Sequence, residues 1–501
     1  MFVSAILSDL ASRSISFLID KSWGSSTAPT VEEAMNSLQR LLLRAQVVVE
    51  EAEGRFITSQ TMLQLLNRLR EEMCRGHHAL DTFRCRAHTD KDNKRHQAVS
   101  SSSTPSRFNP AKRVRFHTIH SGSSSRFSEQ KQINEALRCL EIAIKNASEL
   151  VVFLSCCPRL YRQPYNMYLL LDKCMFGRQM EMERIMNFLL QEEAPVAEYP
   201  CVLPIIGPGR VGKTTMIEHA CNDDRVRNHF SKIVSFSQDS IKDEKRIATL
   251  SDCDVIKHHN RAIEEERILV VIELTGEIDE GTWMELYSDC KHHLGIGSKI
   301  IISSRYNMIA KFGTTQALTV QFFVEEMYWY FFKVRTFGST NTDDHPKLAS
   351  IAMEIAREFS GCFFGAHVFS LLLKSNFSAH FWSMALAYIK EYKRMNPFVF
   401  GSHDIDPWQV HQPVYMRRVN KFSSEYLVVL DDYQTCSPQS EGPTLSFQDY
   451  SFGRIRARGK FKVLLMRSHL PPHYIYMLTC EVRRLQQGMV SRKKRVHEIT
   501  S

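Results

Sequence analysis

The chain has 501 residues, of which 43% are hydrophobic, and carries a formal net charge of +9. Such a length suggests about three domains, and the modest positive charge permits acidic partners without demanding them. The thirteen cysteines show no CxxC pair and no framework spacing, which excludes a disulfide scaffold and points to reduced structural thiols in an intracellular protein.

The opening segment MFVSAILSDLASRSISFLIDK is apolar but broken by Asp9, Arg13 and Asp20, so it does not read as a signal peptide. No uninterrupted apolar run reaches the length of about eighteen residues that suits a membrane span. Residues 1–86 are predicted to be a helical bundle. Phe2, Ile6 and Leu10 form one apolar stripe, Leu38, Leu41, Leu42 and Ala45 a second, and Leu63, Leu66 and Leu69 a third.

Residues 87–130 change character. They hold SSSSTPS at 100–106, SGSSS at 121–125 and eight basic residues against Asp90, Asp92 and Glu129. That composition predicts a disordered, basic, Ser-rich linker. Its Lys112–Arg115 run reads as solvated linker charge in preference to a nuclear address. Residues 131–172 return to helix through Ile133, Leu137, Leu140, Ile144 and Leu150, complete the N-terminal domain and lead into a connector.

From 173 to 320 apolar strands (CVLPII, KIVSF, ILVVI, SKIIIS) alternate with helical segments, the pattern of a parallel sheet with crossover helices. Residues 321–395 read as a helical, aromatic-rich subdomain. Residues 396–501 read as an irregular extension with short strand-like runs, YLVVL and FKVLLM. The stretch LVVLDDY at 427–433 is predicted to be a strand ending in a turn. No internal repeat is visible. The predicted fold is therefore multidomain, α plus α/β.

Gly207-Pro208-Gly209-Arg210-Val211-Gly212-Lys213-Thr214 satisfies GxxxxGK[ST] between a predicted strand and a predicted helix. Glycines let the backbone of Gly207, Gly209, Val211 and Gly212 turn its N–H groups toward phosphate oxygens, and the following helix adds positive charge. Lys213 is expected on the outer phosphates, Thr214 on Mg2+, and Thr215 beside them. The strand Ile268–Ile272 then ends in Glu273-Leu274, where a hydrolysing P-loop protein carries an acidic pair. Glu273 suits a metal-side carboxylate acting through water, whereas Leu274 cannot orient a water molecule. The strand of 299–304 ends in Arg305, a candidate for contacting a terminal phosphate.

In this order, GPGRVGKTT, RNHFSKIVSFS, ILVVIEL, GSKIIISSR and SGCFFGA resemble the NB-ARC module of the NLR proteins, the intracellular immune receptors of plants. The segment 170–190 resembles the opening of that module, which places Phe176, Gly177 and Arg178 against the nucleotide base. VEEMYWYFFKVRTFG at 324–338 resembles the start of its first helical ARC subdomain. The N-terminal helices are similar to the Rx-type coiled-coil domain. The chain departs from the family in several places. Arg210 stands at a glycine position, Phe363 at a proline position associated with ADP, and His77-His78-Ala79-Leu80-Asp81 keeps one acid of the EDVID motif. No Met-His-Asp motif and no leucine-rich repeats are visible.

The resemblance implies an ADP/ATP-binding switch of innate immunity with Mg2+ as cofactor, and the departures imply weak or absent hydrolysis. It further implies a cytoplasmic location, with the nucleus open as an additional one, and protein partners on the N-terminal helices, with self-association open. Two other readings remain at this level: a degenerate scaffold or decoy that acts by protein contact without turnover, and an active ATPase using Glu273. Nucleic acid is not an expected partner, because the basic runs at 112–115 and 492–495 lack interleaved aromatics.

Overall fold

The computed structural model describes residues 30–101, 122–158, 176–191, 200–237, 255–256, 267–274, 276–359, 361–396, 414–416, 425–435, 444–451, 458–467 and 475–484. The stripe expected at Phe2, Ile6 and Leu10 and the basic runs at 112–115 and 492–495 lie outside the described residues. By internal contacts the chain forms two units, Met1–Leu171 with Phe323–Met353, and Asp172–Phe322 with Glu354–Ser501.

The first unit begins with α1 (Val31–Glu53), nucleated by a reciprocal cap: the Glu33 N–H donates to Thr30 Oγ1 at 3.3 Å and the Thr30 N–H to Glu33 Oε2 at 2.9 Å. It continues with α2 (Gln60–Ser101), α3 (Gly122–Asn146) and α4 (Ser148–Leu154). Leu38, Leu42, Ala45, Leu63, Leu66, Leu69, Ile133 and Leu140 are all buried, so the stripes face inward as their spacing requires. Each large aliphatic side chain buried in this way contributes about 2 kcal/mol. Arg70 is buried with them and donates to Glu53 at 2.9 Å.

The expected linker at 87–130 is corrected at both ends. α2 runs on to Ser101 and α3 starts at Gly122. Once a helix is nucleated, each added residue gains a backbone hydrogen bond for little extra entropy, and the Lys, Arg, Gln and Ala of this stretch are good helix formers.

The second unit holds a six-stranded sheet of β1 (Cys201–Ile206), β2 (Lys232–Ser237), β3 (Val255–Ile256), β4 (Ile268–Leu274), β5 (Lys299–Ser304) and β6 (Leu318–Thr319). The order is β3-β2-β4-β5-β1-β6. All neighbours pair in parallel except β3, which is antiparallel to β2. Among the described residues, α5 (Gln179–Leu190), α6 (Lys213–Cys221), α7 (Asp224–His229) and α8 (Glu280–His293) accompany the sheet. One face of the sheet offers Leu203, Ile205, Leu269, Val271 and Ile301 to Ile185 and Leu189 of α5 and Met216 and Ile217 of α6. The other offers Val202, Ile206, Val270, Ile272 and Ile302 to Trp283, Leu286 and Cys290 of α8. Both faces are covered, which is why these strands read as unbroken apolar runs.

Next come α9 (Glu325–Phe337), α10 (Pro346–Phe359), α11 (Phe363–Ser375) and α12 (Ala379–Met395). Residues 321–395, expected as one subdomain, divide by contacts after Met353. α9 buries Tyr328, Trp329, Tyr330, Phe331 and Phe332 in succession, and a helix apolar all round must be enclosed. Its polar ties run to α2 of the same unit. Asp81 Oδ2 accepts from Trp329 Nε1 at 2.9 Å and from Lys333 Nζ at 2.7 Å.

The described residues of the C-terminal region hold a sheet in addition to the short strand-like runs expected. β7 (Val414–Met416), β8 (Glu425–Thr435), β9 (Thr444–Ser446), β10 (Lys460–Arg467) and β11 (Ile475–Arg484) form a mixed sheet of order β7-β8-β11-β10-β9, with the short helix α13 (Phe447–Ser451) after β9. β8 does not end at its two acids. Asp431 and Asp432 pair with Thr479 and Leu478 of β11. The short-range pattern missed this because the pairing is long-range and overrides the turn preference of aspartate. Asn396, after α12, holds the sheet edge by accepting from the Tyr415 N–H and donating to the Tyr415 carbonyl, each at 2.8 Å.

Candidate nucleotide-binding site

β1 delivers the chain to Gly207, and α6 begins at Lys213. The glycines between them have different reasons to be there. A Cβ on Gly207 would overlap the Val320 carbonyl oxygen, whose residue follows β6. Gly212 adopts φ 95°, which side chains resist. A Cβ on Gly209 or Gly212 would meet no atom of the chain within 4 Å, so packing within the protein does not account for Gly209. Arg210 also has positive φ, at 62°, in a conformation where an L-residue costs roughly 1–2 kcal/mol.

The first turn of α6 has no side-chain cap and no acidic residue. Its N–H groups and the partial positive charge of the helix end therefore face the loop as an anion site. The Lys213 ammonium donates to the carbonyls of Gly207 at 2.7 Å and Pro208 at 2.9 Å, folding back along the loop.

Because β5 lies between β1 and β4, the end of β4 is two strands from the loop. Glu273 nevertheless meets it: the Thr214 hydroxyl donates to Glu273 Oε1 at 2.8 Å. Strand alternation puts Glu273 on the α6 side. Leu274 falls on the other side, buried with Trp283 and Ile302 against α8. Ser303, opposite Glu273 in the register of β5, is buried with a hydroxyl that lacks a hydrogen-bond partner. Open space beside Gly209, an uncapped helix end, a paired hydroxyl and carboxylate and an orphaned buried hydroxyl together fit a phosphate tail and its metal. Lys213 and the loop amides would hold the phosphates, and Thr214 and Glu273 would hold Mg2+. The metal would neutralise phosphate charge when bound.

Gly207 donates its N–H to the Ser304 carbonyl at 3.2 Å, so Arg305 leaves β5 at the root of the loop. Thr215 lies in the first turn of α6, and Val211 is buried. Gly177 takes φ 67° and turns the chain into Arg178, which is buried at the N-cap position of α5 without a side-chain capping bond. The Arg178 guanidinium donates to Glu181 at 2.9 Å and to the Gln321 carbonyl, and it lies 5.8 Å from the Phe363 ring centroid. Of Phe176, Gly177 and Arg178, expected against a base, Arg178 lies beside the unusual Phe363. Sequence reading passed over Ser303 as a lone hydroxyl, and over Gln321 because its contribution is a backbone carbonyl.

The model of the Rx N-terminal domain matches residues 2–117, and that of the NB-ARC domain matches residues 178–342. Disease resistance protein RGA2 of Solanum bulbocastanum is 29% identical over 203 residues, 37% of this chain and 20% of its own length. Putative disease resistance protein RGA1 of the same species is 26% identical over 200 residues, again 37% and 20%. The chain therefore spans about a fifth of the length of these relatives. Among solved structures, C. elegans PCH-2 covers 42% of this chain and 68% of its own at 10% identity, with a TM-score of 0.28, too low a likeness to carry weight. Among the described residues no helix is long and apolar enough to cross a membrane. The chain joins an Rx N-terminal domain to an NB-ARC domain and is homologous to the Solanum disease resistance proteins, an arrangement consistent with an NLR.

Proposed function

We propose that the chain is an ADP/ATP-binding molecular switch of plant innate immunity in which hydrolysis is slow or absent. The observation that carries this reading is the divided end of β4. Glu273 holds Thr214 at 2.8 Å, while Leu274 belongs to the core on the opposite face of the sheet. A metal-side carboxylate is retained, and the neighbouring position has neither a carboxylate nor a path to the loop. Such a site binds a nucleotide and lacks one group that would position water. A bound nucleotide then selects between conformations according to its differential affinity for them.

The names of the Solanum relatives support a role in defence. The N-terminal helices are the proposed surface for protein partners or self-association. Leu43 and Val47, one turn apart on α1, are each 65% exposed, which supports a protein-facing role. A cytoplasmic location, shared or not with the nucleus, goes with this reading.

The test is to identify the nucleotide released on denaturing purified protein and to measure steady-state phosphate release with Mg-ATP. Bound adenine nucleotide in wild type, its loss in Lys213→Ala and turnover far below roughly 1 s⁻¹ are expected. Turnover at or above that rate would refute the slow switch in favour of a working ATPase. Protein that emerges empty and does not respond to added nucleotide would favour a scaffold.

A further inference from the structure

β5 ends in two buried serines that the fold treats differently. The Ser304 hydroxyl accepts from the Tyr306 N–H at 3.2 Å, closing the turn that leaves the strand. Ser303 is 1% exposed, and its hydroxyl has no hydrogen-bond partner among the described residues. Buried hydroxyls are normally paired, and one that is not marks a place for a water molecule or an ion.

The sheet register places that hydroxyl. Ser303 stands opposite Ile205 of β1 on one side and Glu273 of β4 on the other. Two residues earlier on the same face of β5, Ile301 is buried with Met216 and Ile217 of α6. Ser303 therefore faces α6, as Glu273 does. Adjacent strands lie about 4.8 Å apart, so the two side chains are immediate neighbours. Because β5 runs between β1 and β4, the hydrogen bond from Thr214 to Glu273, 2.8 Å long, links the helix after β1 to β4 across Ser303. The polar groups of the loop are engaged elsewhere. The Lys213 ammonium donates to the carbonyls of Gly207 and Pro208, and the Gly207 N–H to the Ser304 carbonyl.

We propose that Ser303 is a further residue of the Mg2+ site, its hydroxyl holding a water of the hydrated ion beside Thr214 and Glu273. This rests on the nucleotide-binding reading above and deepens it. Mg2+ gives up water reluctantly, so it is held by one or two carboxylates and phosphate oxygens and keeps several waters. Those waters act chiefly as hydrogen-bond donors, and the protein around them must supply acceptors. A serine hydroxyl can accept from such a water and still donate its own proton to a carboxylate oxygen. Ser303 is thus a positioning residue. It acts on the ion through water, from the strand between the loop and Glu273.

The experiment titrates ADP and a non-hydrolysable ATP analogue into the full chain by calorimetry, each with and without Mg2+. The variants are Ser303→Ala, Ser303→Thr, Glu273→Gln and the double variant of Ser303→Ala with Glu273→Gln. In Ser303→Ala the strengthening of analogue binding by Mg2+ should fall about tenfold, while affinity without Mg2+ stays at the wild-type value. The melting temperature without nucleotide should not drop, because no hydrogen bond within the chain is lost. Ser303→Thr keeps the hydroxyl and should keep most of the Mg2+ effect. The double variant should lose little more than the worse single one, since both residues act through one ion. A Mg2+ effect in Ser303→Ala equal to that of wild type would overturn the inference and leave the P-loop reading standing. An equal loss with and without Mg2+ would also overturn it, because that marks a merely structural role, and so would wild type that gains nothing from Mg2+. If wild type binds neither nucleotide under either condition, the nucleotide reading itself fails and takes this inference with it.

Discussion

Thr214 and Glu273 are separated by 59 residues in the sequence and joined by a 2.8 Å hydrogen bond from hydroxyl to carboxylate. Removing the carboxyl charge tests what that bond prepares. Glu273→Gln keeps an acceptor for Thr214 and should leave the melting temperature within a degree or two. Magnesium should then strengthen nucleotide binding about tenfold less than in wild type, since a carboxylate is a far better Mg2+ partner than an amide. Titrations with and without Mg2+ measure the difference.

Leu274→Asp restores an acidic pair to the sequence and should not restore hydrolysis. Leu274 is buried against α8 with Trp283 and Ile302, so the new carboxylate would enter an apolar core. A loss of more than about 3 kcal/mol of stability is expected, with phosphate release still at background. Thermal melting and a phosphate-release assay on the same preparation check both halves.

The loop glycines should separate cleanly. Gly207→Ala forces a Cβ into the Val320 carbonyl and should sharply lower stability. Gly209→Ala meets nothing in the chain, so it should leave stability within about 0.5 kcal/mol and weaken nucleotide binding. Arg210→Gly releases the strain of φ 62° and should stabilise the protein by about 0.5–1 kcal/mol. Melting curves without nucleotide rank the three variants.

Asp81 is the buried acceptor for Trp329 and Lys333. Asp81→Ala leaves a partly buried ammonium and an indole N–H without their acceptor, and about 3 kcal/mol of stability should be lost. Trp329→Phe removes one neutral donor and should cost about 1 kcal/mol beyond the change in ring size. Urea unfolding of both variants tests the order.

His77, in the same cluster, packs its ring 5.1 Å from that of Tyr330. Burial, and then the charge of Lys333, lower its pKa from 6.5 to about 4, with Arg84 acting in the same direction and Asp81 opposing. The folded protein therefore binds this proton less readily than the unfolded chain. The contribution of neutral His77 is complete above the unfolded value of 6.5 and is lost as pH falls through that value toward 4. His77→Phe, which keeps an aromatic ring beside Tyr330, should flatten the stability profile over this window. Urea midpoints at steps between pH 7 and 4 measure it.

The phosphate loop, the apolar strands around it and the split identity of Glu273-Leu274 were legible in the sequence, because each is a local pattern with a local cause. Glycines answer to backbone angles, buried parallel strands to unbroken apolar runs, and amphipathic helices to a 3.6-residue period. Tertiary structure decided what depends on residues far apart. It set Leu274 on the face away from the loop and carried β8 through its two aspartates by pairing with β11. It likewise gave Asp81 partners on α9 and seated Tyr476 of the last strand on Phe364. Such contacts depend on which strands become neighbours and which helix faces meet, and no spacing along the chain encodes that.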